Sequence, residues 1–178
     1  MEEIISGGLV PQEVPAAGNA NDLAQDGAAV LANYSPLALA FLGDAVYELE
    51  IREHIVRQGN ASPKTLNDRS SYFAMARTQS LISDVLAADL SEEEADIFRR
   101  CRNANANTRP KHASPADYHK ATGLEALIGY LHLCGRNERV KELVRRAWEI
   151  LESPDTPAVP ASPVRNEIPE NTEDVHGS

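Results

Sequence analysis

Three times between residues 33 and 152 a serine followed by proline opens a run of apolar residues at helical spacing: Ser35-Pro36, Ser62-Pro63 and Ser114-Pro115. A serine at the N-cap accepts a hydrogen bond from a backbone N–H that has no partner inside the helix. Proline at the first helical position loses nothing, because its missing N–H would be orphaned there anyway. A fourth start, Ser91-Glu92-Glu93-Glu94, has the spacing of a reciprocal capping box. These signals predict helices from Pro36 to about Gln58, from Pro63 to about Ala88 in one run or a bent pair, and from Ser91 to about Asn103. Two more are predicted from Ser114 to Cys134-Gly135 and from Asn137 to about Leu151. No alternating apolar–polar run of strand length competes with them. The expected fold class is all-α, with about five to seven helices.

Composition marks where that helical part ends. Residues 1–32 are rich in Gly, Ala, Asn, Gln and Pro without sustained periodicity, and residues 153–178 are acidic, aromatic-free and punctuated by Pro154, Pro157, Pro160, Pro163 and Pro169. Stretches of this kind bury too little apolar surface to offset the entropy of ordering them. The expected organisation is therefore a disordered acidic tail over 1–32, one domain over 33–152 and a disordered Pro-rich acidic tail over 153–178. The chain has 178 residues, 42% of them hydrophobic and 25% charged, as in a globular protein. No apolar run approaches the ~20 residues of a membrane helix, and no basic-then-apolar leader opens the chain. Two cysteines, Cys101 and Cys134, make no disulfide framework, which points to a reducing cytosol.

A net charge of −10 argues against a polyanionic partner until it is divided. The first 32 residues hold five acids and no Lys or Arg, and the last 26 hold five acids against Arg165. Residues 33–152 are left with 16 basic and 17 acidic side chains, which removes the objection.

Two acids stand out. Asp44 lies within Ala38-Leu39-Ala40-Phe41-Leu42-Gly43-Asp44-Ala45-Val46-Tyr47, and Glu125 within Gly123-Leu124-Glu125-Ala126-Leu127-Ile128-Gly129-Tyr130-Leu131. A carboxylate on a buried apolar wall is costly unless paired or metal-bound. Glycine beside it costs helix stability, roughly 1 kcal/mol against alanine, and makes sense where something approaches the backbone closely. Two such helices crossing at their glycines would bring both carboxylates to one point, a donor set suited to Mg²⁺. The alternative is structural: a helix cap, or a buried ion pair with Arg52 or Lys120.

Between the acids runs a basic stretch. Residues 99–120 hold Arg99, Arg100, Arg102, Arg109, Lys111 and Lys120 against Asp117, a net of +5, with His112 and His119 able to add charge at lower pH. Asn103, Asn105, Asn107 and Thr108 supply neutral donors in a segment expected to be a loop from Asn103 to Ala113. Cations and amides on a loop suit phosphate backbones, and the scarcity of aromatics favours duplex shape over base stacking. The competing reading is a solvated loop whose arginines cap helix C-termini. Cys101, His112, His119 and Cys134 lack zinc-finger spacing.

The segment Leu42-Gly43-Asp44-Ala45-Val46-Tyr47-Glu48-Leu49 resembles the signature motif of the ribonuclease III family, and Leu124-Glu125-Ala126-Leu127-Ile128-Gly129 resembles its second acidic motif. Arg100-Cys101-Arg102-Asn103-Ala104 and Pro110-Lys111 resemble the Mini-ribonuclease III branch, which has the catalytic domain alone. The resemblance spans residues 33–152 and implies an all-helical homodimer with a valley that accepts double-stranded RNA. It further implies that Asp44 and Glu125 are the catalytic, metal-binding acids. Arg100, Arg102, Asn103, Arg109 and Lys111 become the residues expected to grip the RNA backbone.

The long enzymes carry glutamates four and seven residues before the aspartate and another aspartate three residues before the second glutamate. Here those positions are Ala40, Leu37 and Thr122, a pattern similar to the Mini branch. One Mg²⁺ held by two carboxylates and several waters is the implied cofactor. The implied substrate is the precursor of large-subunit (23S) ribosomal RNA, a setting that would add ribosomal proteins as partners. The reading from a different class is a catalytically silent dimer that binds structured RNA as a scaffold in ribosome assembly.

Overall fold

The computed structural model describes residues 25–104 and 114–153. Among them are seven helices and no strand: α1 (Gly27–Asn33), α2 (Pro36–Arg57), α3 (Pro63–Ala74), α4 (Ala76–Leu86), α5 (Glu92–Arg102), α6 (Pro115–Leu133) and α7 (Asn137–Glu152). The fold is all-α, as the caps and periodicity require.

The starts form for the predicted reasons. Ser35, Ser62 and Ser114 accept from the backbone N–H of Ala38, Thr65 and Asp117 at 3.1–3.2 Å, each with proline next in line. Ser91 and Glu94 cap each other's backbone at 3.2 and 2.9 Å. The end of α6 is a Schellman stop: Gly135 takes φ 71°, Gly135 N–H donates to His132 O at 2.9 Å and Arg136 N–H to Leu131 O at 2.8 Å.

The centre of the domain is α6. Residues 121–124 and 126–131 are all buried, the pattern of a helix enclosed on every side rather than laid on a surface. It contacts every other described helix except α3, and its largest partner is α2. The core closes around Leu39, Tyr47, Ile51 and Ile55 of α2, Ile82 and Leu86 of α4, Ile97 of α5, Leu127 and Leu131 of α6, and Leu143 of α7.

Two sequence expectations need correction or refinement. Residues 27–32, placed above in a disordered tail, belong to α1. Val30 is completely buried, and Gln25 N–H reaches Leu133 O at 3.0 Å, so this short helix is held by α6 and not by its own propensity. Residues 1–24 and 154–178 of the expected tails lie outside the described residues. The run from Pro63 to Ala88 is a bent pair broken at Met75, whose backbone is extended (ψ 131°). The break frees the carbonyl of Phe73, which accepts from Tyr47 Oη at 3.4 Å, and lets the Phe73 ring stack on Trp148 of α7 at 4.5 Å.

Candidate active site

The crossing of α2 and α6 is made by two glycines. A Cβ placed on Gly43 would lie 1.7 Å from the carbonyl oxygen of Glu125 and 2.7 Å from the nitrogen of Gly129. One placed on Gly129 would lie 2.1 Å from the carbonyl oxygen of Leu39. The two backbones touch, and no side chain fits between them. Asp44 follows the first glycine, and Glu125 supplies the backbone that the glycine touches.

The acids differ in setting. Glu125 is half-buried, and its carboxyl is pushed up to about 7, first by burial, then by the charge of Asp44, with the nearby amide of Gln79 pulling partly back. Asp44 is raised as well, by the surrounding protein and by Glu48. The charge of Asp44 disfavours ionisation of the more buried Glu125, which therefore keeps its proton to higher pH. No cation among the described residues offsets either shift. Arg52 and Lys120, the structural alternatives, pair instead with Glu48 at 2.5 Å and Asp84 at 2.6 Å. The hydroxyl of buried Tyr47 is raised by burial and by Glu125.

Asp44 corrects the sequence reading in one respect: its side chain is exposed in this chain, not set in a core wall. Residue 44 lies where the buried face of α2 (Ala40, Gly43, Tyr47) meets an outward face carrying Leu37, Phe41, Leu49 and Val56, with Phe41 85% exposed. A helix apolar on both faces does not reveal from its sequence which one packs inward.

The basic candidates form a second locus. Arg102, half-buried at the end of α5, and the exposed Asn103 line a hollow of about 410 Å³ with Ala116, His119 and Lys120. Arg102 Cβ packs at Gly123, where an added Cβ would stand 3.0 Å away. Residues 123 and 125 differ by roughly 200° around the helix, so Arg102 meets a different side of α6 from the acids. Arg100 is exposed on α5, while Arg109 and Lys111 lie outside the described residues. Among the described residues no group of three or more His, Cys, Asp or Glu converges, so the acids stand as a pair.

The residue missed from the sequence is Gln79, 1% exposed on α4 beside Glu125. It sits in Thr78-Gln79-Ser80, with Ser83 following, and all four are buried. Such a run reads as a solvent face, and nothing in it signals otherwise.

The Ribonuclease III domain profile matches residues 37–136. The chain is 41% identical over 118 residues to "Mini-ribonuclease 3" of Brevibacillus brevis, covering 66% of this chain and 88% of that one. It is 44% identical over 118 residues to "Mini-ribonuclease 3" of a Thermoanaerobacter species, covering 66% and 83%. A crystal structure of a protein from Fusobacterium nucleatum superposes with a TM-score of 0.63 at 37% identity, over 67% of this chain and 96% of that one.

Proposed function

The chain belongs to the ribonuclease III family and is an endoribonuclease of that type. On this premise we propose that it is a Mg²⁺-dependent homodimeric enzyme that hydrolyses double-stranded RNA, with the 23S ribosomal RNA precursor as its substrate. The observation that carries the reading is the glycine-to-backbone contact of α2 and α6, which sets Asp44 near Glu125 with no cation among the described residues to compensate either. The site fits a divalent ion by the chemistry of its donors: two carboxylates that resist simultaneous ionisation, half-open to solvent, suit a hard cation that keeps several waters. Mg²⁺ bound there would supply a water acidic enough to attack at neutral pH and neutralise charge on the scissile phosphate and leaving oxygen.

The chain's own residues do the rest. Asp44 and Glu125 hold and orient the cation. The proton on Glu125 leaves before the cation can be held by both acids, so binding strengthens as pH rises through about 7. Arg100, Arg102, Asn103, Arg109 and Lys111 grip phosphates, with His119 and Lys120 added by the hollow they share with Arg102.

The outward face of α2 supports the dimer. Leu37, Phe41, Leu49 and Val56 fall within roughly 120° of one another around the helix, an exposed apolar stripe with Asp44 at its edge. A two-fold axis through that stripe would bring two acid pairs onto one surface, one for each strand of a duplex. Ribosomal proteins would be met on the same precursor.

The test is incubation of the purified full-length protein with paired stems of the 23S precursor and with one unpaired strand of each. Cuts confined to the duplex and abolished by EDTA are expected. Tight duplex binding without cleavage at any Mg²⁺ concentration would instead make the protein a silent RNA-binding scaffold.

A further inference from the structure

Gln79 occupies a position that packing alone does not explain. Its side chain is 1% exposed on α4, in the face that covers α6, and its Nε2 has no hydrogen-bond partner among the described residues. Buried amides almost always satisfy their donors, and one that does not calls for a reason. The group it approaches is the carboxylate of Glu125, close enough to act on it as a hydrogen-bond donor although the geometry falls short of a formed hydrogen bond. An amide N–H can only donate and an ionised carboxylate can only accept, so the two match in chemistry. Thr78 Oγ1 beside it and Trp148 Nε1 also lack partners among the described residues, but neither lies against an acid as Gln79 does, and buried Glu94, 5% exposed, takes two hydrogen bonds at 2.9 Å from Arg139.

We propose that Gln79 is a positioning residue of the acid pair: its Nε2–H donates to one oxygen of Glu125, fixes that side chain's rotamer and leaves the other oxygen for the cation. The inference rests on the acid-pair reading above. A ligand carboxylate held by a donor behind it keeps its orientation when the metal arrives, and loss of such an outer partner weakens metal binding by roughly 10–100-fold. The same donor favours the ionised carboxylate that a cation needs. It works from the protein side of α6, where solvent does not compete for the bond.

The test uses Mn²⁺ as the probe, with bound ion counted from the electron paramagnetic resonance signal of free Mn²⁺, on the full-length wild type, Glu125→Gln and Gln79→Leu. Gln79→Leu is expected to weaken Mn²⁺ binding by about 10–100-fold. Without metal it should melt no lower than the wild type, since the donor it removes has no partner among the described residues and leucine is similar in size. If leucine packs badly there, Gln79→Met, with a more adaptable side chain, is read in its place. On duplex RNA, KM should stay unchanged at saturating Mn²⁺, and excess metal should restore most of the lost turnover. A purely structural role would lower melting temperature without moving the metal titration. Unchanged Mn²⁺ affinity in Gln79→Leu, with affinity lost in Glu125→Gln, overturns the role of Gln79 alone. Equal binding by wild type and Glu125→Gln overturns the acid-pair reading, and the role of Gln79 falls with it.

Discussion

Removing one charge from the acid pair should have two opposite consequences. Asp44→Asn keeps the size of the side chain, relieves repulsion on Glu125 and removes a proposed metal ligand. The variant should fold and, in EDTA, melt slightly above the wild type, while duplex cleavage falls by about a thousand-fold or more, the several kcal/mol expected of lost metal-ion stabilisation. A lower melting temperature in EDTA would mean that Asp44 is a structural partner. The pH dependence follows from the burial of Glu125 and, to a lesser degree, from the same repulsion. Glu125 takes up its proton more readily in the folded chain than in the unfolded one, so metal-free stability is greatest near pH 5 and declines as pH rises through about 7. Saturating Mg²⁺ should abolish that decline, which parallel thermal melts from pH 5 to 8 would show. Gly43→Ala tests the crossing itself. A methyl group 1.7 Å from a backbone carbonyl cannot be absorbed by a rotamer change, so about 3 kcal/mol of destabilisation is expected, more than the roughly 1 kcal/mol helix propensity gains. Acids beside glycines were legible as a crossing because both costs are local to the sequence. The solvent exposure of Asp44 was not, because α2 is apolar on both faces.

Helix starts and the stop at Gly135 could be read directly, since caps act within four residues. What lay beyond the sequence was held by distant partners. The helix α1 has no side-chain cap and only seven residues, and it exists because α6 receives Val30 and Leu133 O receives Gln25. The break at Met75 has no proline or glycine to signal it, and it coincides with the distant contact of Phe73 with Trp148. Gln79 stayed hidden among small polar neighbours that burial alone distinguishes. The tie between α5 and α7 gives a prediction at this scale. Burial pushes the Glu94 carboxyl up, and Arg139 together with the Ser91 backbone more than reverses that. Arg139→Met strands a buried carboxylate and releases the carbonyl of Asp89, held at 2.8 Å. A loss of about 3 kcal/mol is expected in urea unfolding. A loss under about 0.5 kcal/mol would class the pair with surface bridges.

Across the whole chain, a net charge of −10 hides a domain close to neutral, in which the stretch from Arg99 to Lys120 carries a net +5. Duplex affinity should therefore fall steeply with salt, and replacing Arg102, Arg109 and Lys111 by alanine should flatten the log–log slope by about 0.9 per lost phosphate contact, the value for B-form DNA. An unchanged slope with a lower melting temperature would return these arginines to helix capping. The apolar stripe on α2 makes its own claim about assembly. Leu49→Arg, on a residue 62% exposed in the single chain, should shift sedimentation from dimer to monomer and leave the helical signal intact. A variant that remains a dimer would place the interface elsewhere. All these claims converge on the acids at the α2–α6 crossing, and the most direct measurement is the initial rate of duplex RNA cleavage against Mg²⁺ concentration for the wild type, Asp44→Asn and Glu125→Gln. The wild type should saturate with Mg²⁺, while both variants should stay at least about a thousand-fold slower even at the highest concentration. Wild-type rates in either variant would contradict the account.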